Sequence, residues 1–249
     1  MMMQPVWLGE DPTLFPPTTL ALTDPNGLLA IGGDLSPTRL ISAYSKGIFP
    51  WFDDDQPILW WSPEPRMVFT PGHVHQSKSL KKHLRKHPCT VTINCDFESV
   101  IAHCRQPRVQ QQGTWITDEM MEAYIELHYQ GFAHSIETRA DDGRLIGGLY
   151  GVGIGAVFFG ESMFSLQSNA SKIAISQFSH WAQAQGFALI DCQVENPHLQ
   201  TLGGSLMPRK AFEEILQQHT TSKMDHFKKL WQTHSGNAIF SNIETSNTA

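Results

Sequence analysis

The chain reads Leu189-Ile190-Asp191-Cys192-Gln193 in one stretch and Phe159-Gly160-Glu161-Ser162-Met163-Phe164-Ser165 in another. Both are apolar runs, typical of buried β-strands, that end in polar residues. Because side chains alternate along a strand, Asp191 and Gln193 are expected on one face and Cys192 on the other. With Glu161 they place two acids and an amide in one cleft, where buried polar groups need partners or a substrate. A structural hydrogen-bond network is the alternative interpretation.

The segments around these strands predict an α+β fold. Strand-like runs cover residues 133–138, 144–150 and 154–160, and Asp141-Asp142-Gly143 predicts a hairpin turn between the first two. A helix from about Ala170 to Gln185 then leads to a strand over 187–193. We therefore expect the main part of the protein to combine helices with antiparallel β-hairpins.

Proline-rich residues at Ser62-Pro63-Glu64-Pro65 predict a domain boundary. Residues 1–64 are expected to form a small N-terminal domain with an aromatic loop at 48–52. Residues 65–218 are expected to form the main domain, and residues 219–249 a C-terminal extension that is partly disordered.

Composition narrows the class of protein. The 249 residues carry a net charge of −6, and 41% of them are hydrophobic, which suits a globular chain. No apolar run approaches the roughly 18 residues of a membrane span, and no signal peptide is recognisable. Four scattered cysteines predict reduced thiols in a cytoplasmic protein, and His73-Val74-His75 lacks a third ligand, so no metal site is expected.

A local basic segment contrasts with the acidic whole. No acidic residue occurs between Glu64 and Asp96, and the predicted helix 78–86 concentrates the positive charge. Its cations are Lys78, Lys81, Lys82, Arg85 and Lys86. This pattern indicates a local anion site, whereas a solvated helix face is the alternative interpretation.

Eight strings occur in an order that resembles the bacterial leucyl/phenylalanyl-tRNA–protein transferases. They are Gly27-Leu-Leu-Ala-Ile-Gly-Gly-Asp-Leu-Ser-Pro37, Tyr44-Ser-Lys-Gly-Ile-Phe-Pro-Trp-Phe52, Pro57-Ile-Leu-Trp-Trp-Ser-Pro63, Gly113-Thr-Trp-Ile116, Gly147-Gly-Leu-Tyr-Gly151, Gly160-Glu-Ser-Met-Phe-Ser165, Ala170-Ser-Lys172 and Ile190-Asp-Cys-Gln-Val194. The resemblance runs from about residue 13 to about residue 217. It implies an acetyltransferase-like (GNAT-like) main domain.

The resemblance also implies a reaction and its residues. Leucine or phenylalanine, and also methionine, would pass from aminoacyl-tRNA to the N-terminal amine of proteins that begin with Arg or Lys, marking them for degradation. Asp191 and Gln193 are the expected catalytic pair, and Glu161 is expected at the cationic acceptor end. The aminoacyl pocket is expected to comprise Tyr44, Trp51, Trp115, Tyr124, Leu149, Phe158, Phe178 and Ile190. The basic helix would bind tRNA phosphates, and the enzyme would act as a monomer without a cofactor.

Two other functions would account for parts of this sequence. A coenzyme A-dependent N-acetyltransferase would need a glycine loop that opens a helix, but Gly151-Val-Gly-Ile-Gly155 lies between strand-like runs. A non-catalytic RNA-binding module would keep the basic helix without needing Asp191 and Gln193. The chain departs from the family pattern at Leu166, where Arg is usual, and at Gly203-Gly204, where Gly-Ala is usual.

Overall fold

Two β-sheets organise the protein, whose structure is a computed structural model describing residues 4–106, 116–221 and 224–243. The smaller sheet has the order β1-β2-β4-β3 and consists of β1 (Val6–Trp7), β2 (Leu28–Ile31), β3 (Phe49–Pro50) and β4 (Leu59–Trp61). The larger sheet consists of β5 (Arg66–Phe69), β6 (Cys89–Ile93), β7 (Ala133–Ala140), β8 (Leu145–Ile154), β9 (Val157–Ser165), β10 (Leu189–Asp191), β11 (Ser205–Met207) and β12 (Ala238–Ser241). Its strand order is β11-β5-β10-β9-β8-β7-β6-β12.

Helices cover both faces of the larger sheet. They are α1 (Pro37–Ser45), α2 (Lys78–Lys86), α3 (Phe97–Arg105), α4 (Asp118–Tyr129), α5 (Ala170–Ala184), α6 (Pro197–Thr201), α7 (Arg209–His219) and α8 (Met224–His234). The side chains of Ser36, Asp96 and Thr117 accept an N–H from the first turn of α1, α3 and α4, which is the usual role of short polar residues at these positions. The mixture of helices with a largely antiparallel sheet confirms the α+β fold class.

Alternating strand residues separate two hydrophobic clusters, one on each face of the larger sheet. On β9, Phe159 belongs to the cluster with α1, α3, α4 and α7, whereas Phe158 belongs to the cluster with α2, α5 and α8. On β10, Leu189 and Ile190 divide in the same way. The first cluster also contains the buried residues of the small sheet, such as Trp60, so the N-terminal segment packs on the larger sheet.

The observed strands differ from the predicted ones in their bounds. β8 continues through Gly151 to Ile154, and β9 begins at Val157 and ends at Ser165 instead of covering 154–160. The strand predicted over 187–193 is shorter, because β10 ends at Asp191 and Gln193 has a left-handed backbone with φ 65°. The C-terminal extension adds a strand that the sequence does not predict, β12, which pairs with β6 at the sheet edge. Its helix α8, with Trp231 buried, follows from the spacing of Met224, Phe227, Leu230 and Trp231 along one helix face. The end of that extension, residues 244–249, lies outside the described residues, as do residues 107–115.

Neither a membrane-spanning helix nor a metal-ligand cluster occurs among the described residues. None of the helices in the described part of the chain has both the length and the apolar character needed to cross a bilayer. Within these ranges no three His, Cys, Asp or Glu side chains come together as a possible metal site. Cys89, Cys95, Cys104 and Cys192 form no disulfide bonds with one another.

Candidate active site

A fork between two parallel strands creates the site. β9 and β10 pair over three residues, from Leu189 opposite Val157 to Asp191 opposite Phe159, and then separate. Glu161 and Gln193 lie just beyond this point, one on each branch. A cavity of about 1040 Å³ opens between the branches, and both residues line it. The polar side chains of Glu161 and Gln193 therefore face a cavity that is lined in part by apolar strand residues.

A β-bulge aims Glu161 into the fork. Tyr150 of β8 pairs with Ser162, and the next residue, Gly151, pairs with Gly160, so Glu161 is an extra residue without a partner on β8. A bulge of this kind breaks the alternation of side chains and redirects one of them. Gly151 permits the close approach, because a Cβ there would lie 2.2 Å from the carbonyl oxygen of Phe159.

Three donors surround the Glu161 carboxylate. The Tyr44 hydroxyl donates to Oε1 at 2.7 Å, the Tyr124 hydroxyl donates to Oε2 at 2.9 Å, and the Gln193 amide nitrogen donates to Oε1 at 2.6 Å. The two tyrosine oxygens are also 2.5 Å apart. Burial raises the pKa of Glu161 to about 7, opposed by the hydrogen bonds from Tyr44 and Tyr124 and reinforced by Asp191. Glu161 therefore exchanges its proton close to neutral pH.

Asp191 lies behind the fork in a buried ion pair. Its two oxygens accept from Arg66 Nε at 2.8 Å and Arg66 Nη2 at 2.7 Å, and both side chains are at most 1% exposed. Asp191 Oδ1 also accepts from the backbone N–H of Gln193 at 2.9 Å. The expected direct pairing of the two side chains is thus replaced by a side chain-to-backbone contact. Asp191 holds Gln193 in a conformation that is unusual for a residue other than glycine.

Arg66 connects several parts of the molecule to this pair. Its Nη1 donates to the carbonyl oxygen of Gly47, just after α1, at 3.1 Å. The guanidinium lies between the rings of Phe49 and Phe212, with its carbon 4.8 and 4.7 Å from their centroids. These contacts satisfy and shield the buried charge.

The predicted pocket residues divide into two groups. Trp51, Leu149, Phe158 and Ile190 line the cavity. The remaining described ones, Tyr44, Tyr124 and Phe178, are almost completely buried outside that lining. Tyr44 and Tyr124 instead hold Glu161, and Phe178 packs against Phe158 with 4.6 Å between ring centroids. Trp115 lies outside the described residues.

The basic helix α2 has the predicted bounds and one apolar side. Leu80 and Leu84 are buried in the cluster that contains Phe158 and Ile190. Its exposed cations are Lys78, Lys81, Lys82, Arg85 and Lys86. None of the five forms an ion pair with another described residue. The helix therefore presents a positively charged face to solvent.

Two residues of the site, Arg66 and Tyr150, are not predicted as site residues from the sequence. No residue near Arg66 in the sequence indicates a partner 125 residues away. Tyr150 lines the cavity and is fully buried, but its hydroxyl has no hydrogen-bond partner among the described residues. In the sequence, the bulge is indicated only by glycines on the two strands beside Glu161, such as Gly151 and Gly160.

A cavity with apolar walls and a titratable acid, an amide and hydroxyls at its polar end has the composition of an enzyme site. Comparison with known proteins identifies the class. The family model described as "Leucyl/phenylalanyl-tRNA protein transferase" matches residues 68–217, and the model of that family's N-terminal domain matches residues 33–64.

Individual relatives agree with the family models. A leucyl/phenylalanyl-tRNA–protein transferase of Saccharophagus degradans is 57% identical over 218 residues, covering 88% of this chain and 89% of the relative. One from Shewanella baltica strain OS195 is 55% identical over 219 residues, covering 88% and 92%. The solved structure of L-PGS from Bacillus licheniformis has 11% identity and a TM-score of 0.36, with 82% of this chain and 65% of that chain covered.

The chain belongs to the leucyl/phenylalanyl-tRNA–protein transferase family, which confirms the resemblance seen in its sequence motifs. The protein is therefore an aminoacyltransferase. Family membership favours aminoacyl transfer over the coenzyme A-dependent and RNA-binding alternatives.

Proposed function

We propose that this protein transfers leucine or phenylalanine, and also methionine, from aminoacyl-tRNA to the N-terminal amine of proteins that begin with Arg or Lys. The transfer marks those proteins for degradation in the cytoplasm, and a monomer performs it without a metal ion or cofactor. The observation that carries this proposal is the Glu161–Gln193 contact of 2.6 Å at the polar end of an apolar cavity, in a chain of this family.

The reaction is the aminolysis of an activated ester. The acceptor amine attacks the ester carbonyl, a tetrahedral oxyanion forms, and the ribose hydroxyl leaves. The Gln193 nitrogen donates to Glu161, which leaves the amide oxygen to accept an N–H of the attacking amine. Asp191 is a positioning residue that fixes the Gln193 backbone. The unpartnered Tyr150 hydroxyl supplies a donor for the oxyanion.

Acidic residues around the cavity support a cationic acceptor. Asp53, Asp54 and Asp55, in the turn before β4, are exposed and line the cavity, and Glu195 lines it from the branch that carries Gln193. Glu161 lies deeper. This arrangement favours an acceptor whose N-terminus carries an α-ammonium group and a basic first side chain.

The aminoacyl side chain occupies the apolar part of the cavity, lined by Leu149, Phe158 and Ile190. An apolar pocket distinguishes side chains by about 1–3 kcal/mol per methylene, so unbranched leucine, phenylalanine and methionine are selected by shape. Tyr44, Tyr124 and Phe178 support the walls from behind. Trp51 closes the pocket from the N-terminal segment, and we assign Trp115 to the same pocket on the family resemblance.

Trp51→Ala is expected to raise the KM for phenylalanyl and leucyl donors about tenfold, because it removes an aromatic wall. Trp51 is 44% exposed and lines the cavity, with its ring 5.7 Å from that of Trp61. The control is Trp7→Ala, which removes a Trp that is 70% exposed and not part of the lining. The measurement is the steady-state KM for each donor. An unchanged KM would show that Trp51 has a structural role only.

The exposed face of α2 binds the tRNA backbone in this proposal. Charge reversal by Lys82→Glu together with Arg85→Glu is expected to weaken binding of all donor tRNAs at least about tenfold and to flatten its salt dependence. Turnover of phenylalanyl adenosine, which has no phosphate, stays near the wild-type rate. The readouts are filter binding over a range of salt concentrations and the rate with each donor.

A matched control places the same charge change elsewhere. Lys210→Glu with Lys229→Glu alters two exposed cations, one in α7 and one in α8, and should leave tRNA binding nearly unchanged. If the α2 variant lost the same fraction of its transfer rate with aminoacyl-tRNA and with phenylalanyl adenosine, the helix would contribute to stability alone.

For the architecture, we propose a small N-terminal domain in residues 1–64 and an acetyltransferase-like (GNAT-like) domain in residues 65–218. The division of the two sheets between β4 and β5 supports the boundary. The parallel strands β9 and β10, which separate at the site, support the assignment of the main domain.

One experiment tests the proposed function as a whole. Purified protein is mixed with tRNA carrying labelled phenylalanine and with peptides that differ only in an N-terminal Arg, Lys or Ala. The expected result is label in the Arg and Lys peptides only. Label in none of them, or acetyl transfer from acetyl coenzyme A to the same amines, overturns the proposal.

A further inference from the structure

The oxygens around Glu161 form a closed ring of contacts that requires a definite number of protons. The three contacts join Tyr44 to Tyr124, Tyr44 to Glu161 Oε1 and Tyr124 to Glu161 Oε2, at 2.5, 2.7 and 2.9 Å. Each contact at such a distance needs one proton between its oxygens. The two tyrosines supply two protons, and a third is present only when Glu161 is a neutral acid. An ionised Glu161 therefore leaves one pair of oxygens without a proton.

We propose that Glu161 is the base that removes a proton from the α-ammonium group of the acceptor protein. This inference deepens the proposed aminoacyl transfer and rests on it. The acceptor arrives largely as an ammonium ion, because an α-amino group has a pKa of about 7.7–8.0, and only the neutral amine attacks an ester. The proton that Glu161 takes up completes its ring with Tyr44 and Tyr124.

The step balances without any additional reactant. The N–H bond of the ammonium breaks, its electron pair stays on nitrogen, and the proton forms an O–H bond on the Glu161 carboxylate. The neutral amine then attacks the ester carbon. The proton that the nitrogen must still lose passes to the departing ribose oxygen as the C–O bond breaks. Glu161 later returns its proton to water.

The surroundings favour Glu161 over Asp191 as the base. Both oxygens of Asp191 are held by Arg66, and Asp191 is absent from the cavity lining, whereas Glu161 lines it. The titratable and charged groups that face Glu161 from the described elements are Tyr44 on α1, Tyr124 on α4, Tyr150 on β8, Asp191 on β10 and, through Asp191, Arg66 on β5. Burial raises the pKa values of Tyr44 and Tyr124 well above the ordinary range, so both remain proton donors.

The test compares the wild type with Glu161→Gln over a range of pH. The glutamine keeps the size of the side chain but takes up no proton. Single-turnover transfer from phenylalanyl adenosine to an Arg-initiated peptide is expected to be at least about tenfold slower in the variant near neutral pH. The deficit should shrink above about pH 8, where solvent deprotonates the amine without help. The transfer rate of the wild type should increase with pH around pH 7 as Glu161 ionises, and the pH–rate profile of the variant should lack this increase.

A second pair of variants keeps the test decisive if Glu161→Gln fails to fold. Tyr124→Phe removes a donor to the carboxylate, which raises the pKa of Glu161, so the rising limb should move to higher pH. Tyr129→Phe is the matched control, because this exposed hydroxyl of the same helix contacts Glu98 instead.

The outcomes separate the two proposals. Two results would overturn Glu161 as the base without affecting the proposed transfer reaction. One is a rate of Glu161→Gln that is lower than the wild-type rate by the same factor at every pH. The other is a pH–rate profile of Tyr124→Phe that rises at the same pH as that of the wild type. A wild-type protein that transfers nothing overturns the proposed function itself.

Discussion

Asp191→Ala is expected to lower the free energy of unfolding by about 3–5 kcal/mol, because it leaves the buried Arg66 guanidinium without its counter-charge. It also removes the acceptor that holds the Gln193 backbone N–H, so transfer should be lost in the fraction that remains folded. Chemical unfolding followed by circular dichroism gives the first quantity, and single-turnover kinetics below the transition gives the second.

An exposed ion pair provides the control for Asp191→Ala. Asp142 pairs with Arg144 on the surface, with side chains 48% and 71% exposed, so Asp142→Ala should cost at most about 1 kcal/mol. Replacing both members of the buried pair, by Arg66→Met with Asp191→Leu, should recover much of the stability but not the activity. An Asp191→Ala protein as stable as the wild type would show that Arg66 is satisfied by other groups.

Gln193→Ala is expected to slow transfer at least about 100-fold while leaving most of the stability in place. The alanine cannot orient the attacking amine or contact Glu161, but Asp191 still accepts from the backbone at this position. The measurement is single-turnover transfer from phenylalanyl adenosine to an Arg-initiated peptide, together with the thermal midpoint.

Gln193→Asn separates the side chain from the backbone effect. Asparagine tolerates the left-handed conformation seen at φ 65° better than alanine does, yet it is one methylene too short to reproduce the 2.6 Å contact with Glu161. It should therefore match the wild type in stability and the alanine variant in rate. Wild-type turnover in either variant would remove Gln193 from the catalytic assignment.

Local features of the sequence predicted most of the individual elements. Ser36, Asp96 and Thr117 begin helices because a short polar side chain satisfies the free N–H groups of the first turn. The hairpin at Asp141-Asp142-Gly143 and the helix after Asn169 follow from turn and period signals within a few residues. Such signals depend only on neighbouring positions, so a single sequence contains them.

Long-range relations in the site were not predictable in this way. The pairing of Arg66 with Asp191 and the convergence of Tyr44 and Tyr124 on Glu161 depend on how distant elements pack. The bulge at Glu161 depends on the register between β8 and β9, which no local pattern specifies. The sequence identified Glu161, Asp191 and Gln193 as a group, but the contacts that distinguish their roles came from the fold.

The guanidinium of Arg66 has a consequence for how the protein unfolds. It contacts Gly47 from the N-terminal segment, Phe212 from α7 and Asp191 from β10, so three regions of the chain share one buried charge. Tyr44, on the helix that ends just before Gly47, donates its hydroxyl to the Glu161 carboxylate. We therefore expect the N-terminal segment and the main sheet to unfold together in one cooperative transition, although they contain separate sheets.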